Sequence, residues 1–248
     1  MFGISIPQSC SASSDFIKSI DRDLLQCIEL QGDLIQDAKL LDAVNISQLY
    51  LINSYDYIKN STIVNSLEQP EIFHDEVIAT INSLLGEKQY AILENVTIDF
   101  GLLKDSEQEK TFKFIKNLYY KIFQSGKNIC LPVTIPGMEQ KEEIIRTAFY
   151  KLMLSNFRVC LNIYPHEIGR DEDFSGFINA INLRTSLIRI CYDAMLGNYI
   201  TDNLLMYWRE NFVKYELNCP VLFAPSVSNI EMIEHETKNI YELLKNIK

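Results

Sequence analysis

Leu187-Ile188-Arg189-Ile190-Cys191-Tyr192-Asp193 is the stretch that decides the fold. It is a short, mostly apolar run whose only acid stands at its end. A helical pattern follows over Asp202–Tyr215, through Leu204, Leu205, Trp208 and Phe212. Another run, Pro220–Ala224, comes next. Asn229–Lys248 then carries Ile233, Ile240, Leu243, Leu244 and Ile247 at helical spacing. The same unit recurs toward the N-terminus, with runs at Phe2–Pro7, Leu25–Leu30, Gln48–Asn53, Tyr90–Asp99, Asn128–Ile135 and Arg158–Tyr164. Short apolar runs alternating with helical patterns make βαβ units around a parallel sheet. Eight such units in 248 residues suit a closed (β/α)8 TIM barrel, read as one domain over 1–248.

The intervening helices vary in strength. Ser106–Gln124 opens with capping-box spacing, Ser106 and Glu109, and continues through Phe112, Ile115, Leu118, Tyr119, Ile122 and Phe123. Met138–Ser155 and Glu71–Leu85 repeat the pattern, and Ser228 with Glu231 forms a further capping box before the last helix. Asp15–Asp21, Gln36–Val44 and Phe174–Ile181 are short, which leaves room for a distorted barrel. An open doubly wound sheet is the alternative, and it usually carries a glycine-rich turn after its first strand. Pro7-Gln-Ser-Cys-Ser-Ala stands there instead, and neither G-x-G-x-x-G nor G-x-x-x-x-G-K-[ST] occurs. No nucleotide cofactor is expected.

Hydrophobic residues make up 47% of the chain, enough for a barrel interior and a strand–helix layer. The net charge of −10 disfavours nucleic acid as a partner. No apolar run approaches the ~18 residues that span a bilayer, so no membrane partner is expected. Six cysteines show no C-x-x-C pair, and most lie in or beside apolar runs, as buried thiols do. With the first strand starting at Phe2, no leader is apparent and a cytoplasmic location is expected.

In a barrel, chemistry sits at the C-terminal ends of the strands. Four ends carry candidate groups: Glu29 in Cys27-Ile-Glu29-Leu, Asp99 in Thr97-Ile-Asp99-Phe-Gly101, His166-Glu167 after Tyr164-Pro165, and Asp193. Glu29, Asp99 and Glu167 are the candidate acid–base groups. Asp193, His166 and Glu167 are a candidate ligand set for a divalent ion such as Mn, Mg, Zn or Co, which would polarise a carbonyl and acidify its neighbouring C–H. The same carboxylates could equally cap helices or join structural ion pairs.

With these residues, the chain resembles the xylose isomerase-like TIM-barrel superfamily of sugar phosphate isomerases and epimerases. Phe2-Gly-Ile-Ser-Ile resembles its opening strand, and Cys27-Ile-Glu29-Leu its second. Arg158-Val-Cys-Leu-Asn162-Ile-Tyr-Pro165-His-Glu and Ile188-Arg-Ile-Cys-Tyr-Asp193 resemble its metal-bearing strands. The resemblance implies a carbohydrate ligand, a divalent metal and a pair of proton-shuttling carboxylates. Asn162 stands where it implies a ligand Glu, no His follows Asp193 at short spacing, and Val221-Leu-Phe-Ala-Pro225-Ser226 has no Glu. Two readings follow: a sugar or sugar-phosphate isomerase or epimerase, and a barrel that binds a carbohydrate or other small polar ligand without that chemistry. Neither the substrate nor the oligomeric state follows from these residues.

Overall fold

The structure is a computed structural model that describes residues 1–56, 79, 90–94, 128–134, 158–164, 185–194, 205–206 and 219–247. Eight strands run β1 (Phe2–Ile6), β2 (Cys27–Gln31), β3 (Tyr50–Asp56), β4 (Tyr90–Glu94), β5 (Asn128–Thr134), β6 (Val159–Ile163), β7 (Thr185–Asp193) and β8 (Val221–Ser226). They pair in sequence order, all parallel, and β1 pairs with β8 to close the barrel. This is the (β/α)8 architecture expected from the eight runs. Pairing of β6 with β7 shifts register between Val159 and Cys160, a local irregularity rather than an opening.

Alternation along the strands divides their side chains between two layers. One set, including Ile4, Ile6, Ile28, Leu30, Leu161, Ile163, Ile188, Ile190 and Phe223, is buried in the outer layer of the barrel. The other set faces the lumen, where Cys27, Ile52, Ile92, Cys130, Cys160, Leu187 and Leu222 form one packed layer with Tyr50 against it. Small thiols suit this layer because opposite strands converge on a narrow space. Between the neighbouring strands β1 and β2, Gly3 leaves the room that the Cys27 thiol occupies: a Cβ there would collide with Cys27 Sγ and sit 2.5 Å from the Cys27 carbonyl oxygen. The side chains of Leu131 and Val133 on β5 lie outside the described residues.

Helix α1 (Ser14–Ser19) starts where Ser13 Oγ accepts from Phe16 N at 3.1 Å, and it buries Phe16 and Ile17. A 3-10 turn (Gly32–Gln36) follows β2, and α2 (Ala38–Ile46) starts at Asp37, whose carboxylate accepts from Lys39 N and Leu40 N. Helix α2 ends with Gln48 in the left-handed region (φ 52°), while Gln48 N bonds Asn45 O and Leu49 N bonds Val44 O. That pair of bonds is a Schellman stop, usually built on glycine. It explains why β3 begins at Tyr50 and not at Gln48.

The C-terminal helix (Ile230–Ile247) buries Ile233, Ile240, Leu243 and Leu244. Its cap differs from the expected capping box. Asn229 Oδ1 accepts from Met232 N at 2.9 Å, whereas Ser228 Oγ lies against Met232 Sδ. Asn caps as well as Ser does, and the helix starts one residue later than Ser228 would require. Tyr192, on the outer face of β7, donates to Glu236 Oε2 at 3.3 Å and anchors this helix to the barrel. Burial, together with that carboxylate, holds the Tyr192 hydroxyl well above its usual pKa. Asp21 N donates to Tyr241 Oη at 2.8 Å, joining the same helix to the turn after α1. The helical patterns expected over Glu71–Leu85, Ser106–Gln124, Met138–Ser155, Phe174–Ile181 and Asp202–Tyr215 lie wholly or almost wholly outside the described residues.

Candidate active site at the barrel mouth

Above the apolar layer, toward the C-terminal ends of the strands, the lumen turns polar. Glu29 of β2 is fully buried, and Arg189 of β7 and Asn162 of β6 are nearly so. Arg189 Nε donates to Glu29 Oε2 at 3.2 Å, and Arg189 Nη2 donates to Glu29 Oε1. Arg189 Nη1 donates to Asn162 Oδ1 at 3.4 Å. Strands β8 and β1 intervene between β7 and β2 on one side of the barrel, so this contact crosses the lumen. It forms a charged floor beneath the mouth.

Physical chemistry requires some such arrangement once either charge is present. A buried carboxylate or guanidinium alone is costly, and pairing with good geometry offsets that cost. The planar guanidinium fork matches a carboxylate with two parallel bonds. Cys160 Sγ lies 3.9 Å from Asn162 Oδ1, so the amide oxygen also meets the thiol layer below. Nearby on the β1–β2 side, Gln31 Nε2 donates to Ser5 Oγ and Gln8 Nε2 donates to Asp33 Oδ2, each at 2.8 Å. Gln8 folds over Gly32, whose φ of 57° lets the chain turn out of β2.

Glu29 was expected at the end of its strand. Its strand continues to Gln31, and Glu29 lies two residues inside, below the rim. Asp193 ends β7 and is exposed, in register with Ser226 of β8, so it stands at the rim itself. Asp99, His166 and Glu167 lie outside the described residues. The structure therefore brings Glu29 together with Arg189 and Asn162, neither of which had been singled out as functional. The available signal was a single positive charge in an apolar strand, matched by a single negative charge in another.

A divalent ion needs several hard ligands converging on one point. Among the described residues no three His, Cys, Asp or Glu side chains converge in that way. At the floor, both Glu29 oxygens are engaged by an obligatory cation, so these residues do not fit a metal there. The thiols fit it no better. Burial pushes the Cys27 and Cys130 thiols up to about 12, which keeps them protonated and poor as ligands or nucleophiles. A surface pocket lined by Ala194, Asn229, Glu231, Met232, His235 and Glu236 lies beside the end of β7, against the C-terminal helix.

No family model matches the chain. A 164-residue stretch is 23% identical to "Probable polyketide synthase 1" of Dictyostelium discoideum, spanning 62% of this chain and 5% of that protein. Solved structures match far more of the chain. D-psicose 3-epimerase with D-tagatose from Clostridium cellulolyticum H10 superposes with a TM-score of 0.65 at 10% identity, over 99% of this chain and 98% of that one. A D-tagatose 3-epimerase-like protein gives 0.63 at 9% identity, over 99% and 97%. A Bacteroidetes-affiliated GH5 cellulase gives 0.61 at 7% identity, over 100% and 92%. At these identities the likeness is one of fold: the chain is a (β/α)8 barrel of the shape that sugar epimerases adopt.

Proposed function

We propose that the chain binds a carbohydrate at the C-terminal mouth of the barrel and isomerises or epimerises it, as a sugar or sugar phosphate. The observation that carries this reading is the polar floor of Glu29, Arg189 and Asn162, set directly beneath the end of the barrel where such folds place their chemistry. The fold shared with sugar epimerases over nearly the whole chain supports it. Glu29 takes a positioning role in this reading, because its buried carboxylate is committed to holding the guanidinium. Asp99 and Glu167 are the proposed acid–base groups, and Asp193 and His166 the proposed ligand contacts at the rim.

The test is turnover of free and phosphorylated ketoses and aldoses, D-tagatose among them, with and without Mn2+. Conversion of at least one sugar is expected, and Asp193→Asn should lower it at least about tenfold if the carboxylate contacts the reacting sugar. A second reading, a barrel that binds carbohydrate without converting it, is favoured by the engagement of both Glu29 oxygens by Arg189. It predicts sugar-dependent thermal stabilisation without product. Absence of both product and stabilisation across the panel contradicts both readings.

A further inference from the structure

The acids at the strand ends suggest a divalent cation at the mouth, yet the described floor of the lumen already contains a cation of its own. Arg189 is 5% exposed, and its guanidinium is held by Glu29 of β2 across the lumen and by Asn162, its neighbour on β6. A guanidinium stays protonated throughout the working pH range, so this positive charge is permanent. It is also immobile, because three of its bonds run to fully or nearly fully buried partners. A metal seated on Glu29 would have to displace that fork and leave a buried guanidinium without its counter-charge, which costs several kcal/mol.

We infer that Arg189 is the resident cation of the described barrel floor, and that this floor holds carbohydrate oxygens over its fixed charge with no divalent metal seated on Glu29. The inference rests on the carbohydrate reading above only for the identity of the ligand. The cation itself follows from the geometry of the floor. Glu29 and Arg189 together set a strong local dipole at the floor, which suits neutral hydroxyl or carbonyl oxygens.

Two measurements without substrate test it. Mn2+ alone is titrated into wild-type protein by equilibrium dialysis after EDTA treatment and desalting. Glu29→Gln is titrated beside it, and the Mn2+ bound by the two proteins should not differ. Stoichiometric Mn2+ that is retained by the wild type and lost in Glu29→Gln overturns the inference. In the second measurement, Arg189→Ala is melted in millimolar guanidinium chloride and, separately, in equal methylammonium chloride. Guanidinium should raise the melting temperature of the variant and not that of the wild type, by refilling the gap between Glu29 and Asn162. Equal responses to the two salts overturn it. If Arg189→Ala does not fold, Arg189→Lys replaces it in a third arm. Keeping the charge but losing the fork, it should melt lower than the wild type and bind no more Mn2+ than the wild type does; an unchanged melting temperature overturns the inference. Failure of every sugar to bind would remove the carbohydrate reading and leave these substrate-free results standing.

Discussion

Arg189 and Glu29 lie 160 positions apart in sequence and face each other across the lumen. Their contribution to stability is conditional. Taking two charges from water is expensive, so the intact pair need add little over an apolar replacement. Removing one partner strands the other, and that is where the large effect lies. Glu29→Leu and Arg189→Met should each destabilise the protein by ~3–5 kcal/mol, while the double variant should recover a large part of the summed loss. Urea denaturation of the four proteins measures this coupling. Additivity to within about 0.5 kcal/mol would contradict a direct buried pair. The same reasoning explains why this pair was not legible beforehand. Arg189 sits inside a run otherwise typical of a buried strand, and no local spacing links it to Glu29. Only closure of the barrel brings β2 and β7 face to face.

At the scale of elements, Gly3 controls how closely β1 approaches β2. Its Cα partner in the sheet is Cys27, whose sulfur occupies the space a side chain on residue 3 would need. Gly3→Ala should therefore destabilise by ~1–3 kcal/mol through overpacking. Pairing it with Cys27→Gly should relieve part of that penalty, and a neutral Gly3→Ala in thermal melts would contradict this packing. All eight strands were readable because each contains a short, mostly apolar run, a pattern that needs no knowledge of its partners. Strand ends were less legible. β2 starts at Cys27 because Leu24 and Leu25 are held in a turn on Asp21 O, and β3 starts at Tyr50 because the α2 stop extends through Leu49. The last helix shows the same limit: Ser228 has the right spacing to Glu231, but Asn229 makes the cap. Candidate rim residues fared differently by position. Asp193 was placed correctly at a strand end because the apolar run stops there, whereas Glu29 sits deeper because its strand runs on to Gln31.

For the molecule as a whole, the thiols couple stability to alkaline pH. All six cysteines are free, and burial raises Cys27 and Cys130 from 9.0 to about 12 and Cys219 to about 11. In the unfolded chain these thiols titrate near their ordinary value, so above pH 9.0 unfolding releases protons that the folded barrel retains. Their contribution is fully present below pH 9.0 and is lost as pH rises through 11 to 12. Urea midpoints should fall steadily across that window, and a flat profile would contradict burial of the three thiols. The lumen thus combines a lower layer of protonated thiols with a floor built on the Arg189–Glu29 pair. The central claim is that carbohydrate chemistry takes place over that floor. It is tested most directly by incubating the protein, with and without Mn2+, with D-tagatose and other ketoses in D2O and following the sugars by proton NMR. A second sugar carrying solvent deuterium at the carbon beside the carbonyl is the predicted result. Spectra in which no sugar is converted or labelled would contradict the claim.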